Sequence, residues 1–258
     1  MTVIVKKNLP SGTIVLNRPD KRNALSRQLI GDLMQAFDDL HQERKVRAVI
    51  LTGAGSAFCA GMDLAEMHET SQQENARDVW YEDAMLYRDL IDKLLLFPKP
   101  IIAAVNGPAV AGGMGLVLAS DIVVAAREAR FGLPEPKRGV VAGMVSPLLA
   151  FRLGGSHAAN LLLRGHLIDA AEAHRIGLAH EVVGSEFVWA RSQEIAGEIE
   201  ECSPSALQQT KRMLNETVAE HLSTFLTAGA AASATARTTE DAAEGLAAFL
   251  EKRPPKWL

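Results

Sequence analysis

Apolar and polar positions change their spacing several times along the chain, and each change predicts an element. Val3 to Val5 and Thr13 to Leu16 are short β-branched runs on either side of Leu9-Pro-Ser-Gly12, a pattern that predicts an opening β-hairpin. From Ser26, a residue suited to a helix N-cap, Leu29, Ile30, Leu33, Met34, Phe37 and Leu40 recur at helical spacing. Arg47-Ala-Val-Ile-Leu-Thr52 reads as a buried strand that delivers the glycine-rich loop Gly53-Ala-Gly-Ser-Ala-Phe-Cys-Ala-Gly61. Val79, Met85, Leu86, Leu90, Ile91 and Leu94 predict a long helix from Asp78 to Phe97, which Pro98 and Pro100 end. Ile101 to Val105 is the next buried strand. It enters a second glycine loop, Asn106-Gly-Pro-Ala-Val-Ala-Gly-Gly-Met-Gly115, followed by an apolar helix to Ser120 and the strand Asp121-Ile-Val-Val-Ala125.

Strand, glycine loop and helix thus alternate, which implies an α/β core with helices covering the strands. No sequence repeat of fixed period accompanies the alternation. Beyond Gly184 strand signals stop, and Glu186 to Glu200, Ala206 to His221 and the alanine-rich Ala228 to Ala236 read as helices. Ser203-Pro204 offers a cap and a break. This divides a core of residues 1–200 from a C-terminal helical segment of residues 201–258.

Composition narrows the function classes. An apolar fraction of 48% with 22% charged residues argues against disorder and against a membrane-resident chain. A formal charge of −4 without a run of Lys or Arg gives no footprint for nucleic acid, so any anionic ligand must be met by a local cluster. Cys59 and Cys202 lie far apart without CxxC or Cys/His spacing, which disfavours a disulfide framework or a zinc site. No metal or redox cofactor is expected. The N-terminus lacks the zones of a secretion signal, and no stretch approaches about 18 uncharged apolar residues. The chain reads as cytoplasmic.

The glycine loops are the candidate chemistry. Gly112-Gly113 follows a strand and opens a helix, so its amides can approach a ligand without an intervening Cβ and suit a developing negative charge. The first loop runs on through Ala60, Gly61, Met62, Asp63 and Leu64, and could supply a second amide to complete an oxyanion hole. Taken alone, such loops serve tight packing more often than ligand binding. The chain has no GxxxxGK[S/T], no dinucleotide fingerprint in its first loop, and no GxSxG or HExxH.

Three segments in fixed order, Gly53 through Met67, Asn106-Gly-Pro-Ala-Val-Ala-Gly-Gly113 and Ala129-Arg-Phe-Gly-Leu-Pro-Glu135, strongly resemble the enoyl-CoA hydratase/isomerase (crotonase) family. The resemblance extends to Asn17-Arg-Pro-Asp-Lys-Arg-Asn-Ala-Leu25 and to Leu246-Ala-Ala-Phe-Leu-Glu-Lys-Arg253, nearly the whole chain. It implies a crotonase-like spiral of ββα turns, then a C-terminal helical segment for trimerisation, in a homotrimer or dimer of trimers. It also implies an acyl-CoA substrate, with coenzyme A arriving as part of that substrate. The oxyanion-hole amides would belong to Met62 and Gly112. Ala24, Leu25, Ala60, Met62, Asp63 and Leu64 would line the coenzyme A channel, with Phe249 and Lys252 contacting coenzyme A, often in a neighbouring subunit. Read without the resemblance, Asp63 is a helix cap, Lys252 a solvated charge and Cys59 a small core residue.

Glu135 sits in Phe131-Gly-Leu-Pro-Glu-Pro136, whose apolar and rigid residues would desolvate it and raise its pKa. The bland alternative is a surface Glu paired with Lys137 or Arg138. Family hydratases carry a second Glu three residues after the oxyanion-hole glycine, where this chain has Gly115. A single carboxylate favours double-bond isomerisation, with hydration, decarboxylation, thioester hydrolysis and non-catalytic acyl-CoA binding as alternatives. Glu82 and Asp83, candidates for a second carboxylate, are expected on a solvated helix face. The acyl pocket should be walled near Trp80, Tyr81, Met85 and Tyr87, and narrowed at Met144 and Val145.

Overall fold

The computed structural model describes residues 1–218 and 221–257. The elements in chain order are β1 (Val3–Asn8), β2 (Ser11–Leu16), α1 (Arg27–Gln42), β3 (Ala48–Gly53), α2 (Leu64–Ser71), α3 (Ala76–Leu96), β4 (Ile101–Val105), β5 (Ala109–Val110) and α4 (Gly112–Ala119). They continue with β6 (Ile122–Ala126), β7 (Arg130–Gly132), α5 (Val145–Arg164), β8 (Leu167–Asp169), α6 (Ala170–Arg175) and β9 (Glu181–Val183). The remaining helices are α7 (Val188–Glu200), α8 (Pro204–Arg212), α9 (Leu222–Ala236) and α10 (Glu240–Leu250).

Six strands form one sheet in the order β1-β2-β3-β4-β6-β9, and β5-β7-β8 form a smaller one. The β1–β2 pair is antiparallel and every later pair in the large sheet is parallel. Parallel strands are covered on both faces, which is why β3 and β4 read as unbroken apolar runs. The opening hairpin is tighter than expected, since Ser11 and Gly12 belong to β2 and only Leu9-Pro10 turns the chain.

Helix α1 forms where its sequence predicts. The Ser26 hydroxyl accepts from the Leu29 amide at 3.2 Å, and Leu29, Ile30, Leu33, Ala36, Phe37 and Leu40 turn inward. The last strand, β9, ends at Val183, and helices make up the elements after it. Two of them matter for the site. Helix α9 packs along α3 and α5, and α10 lies over the 3₁₀ turn Glu135–Arg138. The C-terminal segment therefore folds back over its own chain. Among the described residues no helix is long and apolar enough to cross a membrane.

Candidate active site

The two glycine loops lie side by side because short backbone ladders stitch them together. The Leu25 amide donates to the Gly61 carbonyl at 2.8 Å, the Asp63 amide to the Leu25 carbonyl at 3.0 Å, and the Val110 amide to the Cys59 carbonyl at 3.0 Å. Asn23 and Asn106 hold the first loop from outside. Asn23 Nδ2 donates to the carbonyls of Ala54 and Ala57, each at 2.9 Å, while Asn106 Oδ1 accepts from the Gly53 amide at 3.1 Å. Part of the N-terminal motif is thus scaffolding for the loop.

Glycine is required where the loops touch. A Cβ on Gly113 would overlap the Cys59 carbonyl, and one on Gly61, whose φ is +88°, would come within 3.2 Å of the Gly112 amide nitrogen. Ala111 has φ 52° and ψ −128°, a conformation unfavourable for a side-chain-bearing residue. That strain turns the chain so that Gly112 begins α4. The amides of Met62 and Gly112 donate to no acceptor among the described residues, and both residues line one cavity of about 530 Å³. Two free amides on a cavity wall at a helix N-terminus can stabilise an oxyanion.

Glu135 lines the same cavity, and among the described residues that line it Glu135 is the one carboxylate. It makes no ion pair with Lys137 or Arg138; its Oε2 is enclosed without a hydrogen-bond partner. Loss of water pushes its carboxyl up to about 7, against a smaller opposing effect of its own backbone amide. Such a group can both take and return a proton near neutral pH.

Tyr87 was not legible as a site residue beyond its place on an aromatic stripe. It is buried, lines the cavity, and its hydroxyl donates to the Gly112 carbonyl at 2.6 Å. Burial, then the charges of Cys59 and Glu135, holds its phenol well above the usual range, so it remains a donor. A Cβ at Gly115 would overlap the Tyr87 hydroxyl. The tyrosine therefore fills the space that a side chain at 115 would need.

Other expected residues are spread more widely. Ala60, Leu64 and Phe249 line the cavity, Phe249 from its own chain, whereas Ala24, Leu25, Asp63 and Lys252 do not. Leu25 is fully buried beneath Gly112. Asp63 caps α2 and pairs with Arg18 at 2.9 Å. Met144 and Val145 are on the wall, as is Tyr87. Other expectations are corrected: Trp80, Met85 and the 49% exposed Tyr81 do not line this cavity, and Asp83 faces inward, gripped by Arg27 at 2.5 and 2.8 Å. Buried Cys59 has its thiol pushed up to about 12 by desolvation.

The family model described as enoyl-CoA hydratase/isomerase matches residues 11–258. A Thermus thermophilus relative that carries an enoyl-CoA hydratase name is 40% identical, over 95% of this chain and 96% of its own. The 1,2-epoxyphenylacetyl-CoA isomerase of Escherichia coli is 32% identical over 95% and 94%. Among solved structures, an enoyl-CoA hydratase/isomerase from Xanthobacter autotrophicus superposes with a TM-score of 0.90 at 29% identity, covering 97% of this chain and 93% of the other.

Proposed function

The chain belongs to the enoyl-CoA hydratase/isomerase family, acting on coenzyme A thioesters, and from that premise we propose that it shifts the double bond of an enoyl-CoA with Glu135 as its single acid/base. The carbonyl oxygen of a 3-enoyl thioester receives the amides of Met62 and Gly112. Glu135 removes a proton from C2, the C2–H electrons flow into the thioester carbonyl, and the dienolate oxygen is held by the two amides. The protonated Glu135 then delivers the same proton to C4 as the dienolate collapses. The double bond passes from C3–C4 to C2–C3 with no net gain or loss of protons. Losing one oxyanion donor in such sites typically costs about 10²–10³ in rate. The reaction calls on no resident cofactor.

One observation carries the choice of isomerisation over hydration: Glu135 is the lone carboxylate among the described lining residues, and the Tyr87 hydroxyl fills the space beside Gly115. Hydration needs a group to draw a proton from water besides a route for one to the α-carbon. Tyr87, held protonated, is no base. Turnover of a medium-chain 3-enoyl-CoA and of a 2-enoyl-CoA, by wild type and Glu135→Ala, tests the reading. Isomerisation without hydration, lost in the variant, supports it; rapid hydration of the 2-enoyl substrate sinks it.

For the assembly we assign a homotrimer or dimer of trimers. The C-terminal part leaves Met213, Leu214 and Phe225 more than half exposed, an apolar surface suited to subunit contact. Sedimentation equilibrium decides it; a monomeric mass would refute the assignment.

A further inference from the structure

Two enclosed polar groups play no part in the proton transfer, and they face one space. Arg237, just past the end of α9, is only 7% exposed, and its Nη1 is enclosed with no hydrogen-bond partner. Asp83 attracts it electrostatically, but both oxygens of Asp83 are taken by Arg27. No ion pair reaches Arg237 among the described residues. On α3, Trp80 Nε1 is likewise enclosed and unpartnered. A buried guanidinium and a buried indole N–H without acceptors are unfavourable unless something else accepts from them.

Both residues line a second cavity of about 260 Å³ flanked by α2, α3 and α10. It adjoins the cavity that holds Glu135 and Gly112, since Leu64, Met67, Arg138, Val140 and Arg237 line both. Much of its wall is apolar, including Ala242, Leu246 and Ala247. No carboxylate is among its described lining residues, whereas His68, Arg138 and Arg237 are. Arg138 is already stacked 4.4 Å over the Phe249 ring, so Arg237 is the unengaged guanidinium of this lining. An apolar space ending on a desolvated guanidinium and an indole donor suits an alkyl chain that ends in an anion.

We propose that the second cavity receives the far end of the acyl group and that this end carries a carboxylate, held by Arg237 and by the Trp80 indole N–H. The assignment rests on the thioester reading above and narrows its substrate class to acyl-CoAs derived from dicarboxylic acids.

Saturated thioesters do not isomerise, so binding can be read apart from turnover. Coenzyme A monothioesters of butane-, hexane- and octanedioic acid are titrated calorimetrically into the full-length protein beside the butanoyl, hexanoyl and octanoyl thioesters. Wild type should bind at least one dicarboxylic member roughly tenfold or more tighter than its unsubstituted counterpart. Arg237→Leu should abolish that preference by weakening the dicarboxylic thioesters roughly tenfold more than their unsubstituted counterparts, and Trp80→Phe should reduce it several-fold. Equal affinity of wild type for the two sets at every length overturns the proposal, even if Arg237→Leu does not fold. Equal weakening of both sets by Arg237→Leu overturns it too, because Arg237 would then serve a coenzyme A phosphate. Binding of neither set would overturn the thioester reading along with it.

Discussion

The Tyr87 hydroxyl donates a 2.6 Å hydrogen bond to the carbonyl of Gly112 and occupies the space into which a Cβ at Gly115 would project. One side chain thus braces a residue of the cavity wall and excludes any other side chain from its flank. Tyr87→Phe should cost about 1 kcal/mol of stability and lower kcat more than it raises KM, since Gly112 is held less firmly. Gly115→Glu should destabilise strongly by overpacking, and Tyr87→Ala in the same chain should restore part of the loss. Denaturant unfolding of the two single variants and the double variant measures this coupling. Strict additivity would show that the two positions do not share space.

Under the proposed mechanism Glu135 sets the pH dependence. As the base, it must be ionised, so kcat/KM for a 3-enoyl-CoA should rise with pH through about 7, the value to which burial pushes it. Stability runs the other way. A carboxyl whose folded pKa is raised from 4.5 to about 7 binds its proton more tightly in the folded state, so its contribution is full below 4.5 and is lost as pH rises to 7. Glu135→Gln should therefore be inactive yet more stable than wild type above pH 7, by up to about 3 kcal/mol at 1.36 kcal/mol per pKa unit. Near pH 4 the two should melt together. Thermal melts across that range check the sign, and a wild type more stable than the variant at pH 8 would contradict it.

What could be read in advance divides along physical lines. Helix α1 has a capping serine and six inward apolar positions, and its period survives any context. Helix α2 buries only Met67 and Thr70 over its length and takes its start from Asp63, so its periodicity is too weak to announce it. Strands β5, β7 and β8 are two or three residues long, too short for an alternation to register. Asp83 reads as a solvated position because its partner, Arg27, lies 56 residues away. The glycine loops and Glu135 were visible as motifs. Their juxtaposition, and the closing of the wall by Tyr87, Ser233, Arg237 and Phe249, depends on chain reversals that no local pattern encodes.

The C-terminal helices are tied to the sheet by a buried ion pair. Lys211 Nζ, on α8, lies 2.7 Å from Asp121 Oδ2, which also accepts from the Ile101 amide at 2.8 Å where β4 begins. Lys211→Met leaves a half-enclosed carboxylate without its cation and should cost about 3 kcal/mol. The double replacement Lys211→Met with Asp121→Asn should recover part of that. Chemical denaturation of both variants distinguishes this from a surface pair, whose removal would change stability by less than about 1 kcal/mol.

The backbone at the mouth of α4 makes the last prediction. Ala111, at φ 52° and ψ −128°, carries a Cβ in a region that glycine tolerates, while Gly113 two residues on has the Cys59 carbonyl where its Cβ would be. The two positions should respond oppositely to exchange of the same methyl group. Ala111→Gly relieves strain and should stabilise by about 1 kcal/mol with activity kept, because this positive-φ backbone is then freely available. Gly113→Ala must push the first loop away from the second, which separates the Met62 and Gly112 amides. It should lose both stability and, by about 10²-fold or more, the rate that depends on two donors converging. Unfolding free energies and kcat for the two variants test the pair. A stable, fully active Gly113→Ala would mean that the loops need not touch for the site to work.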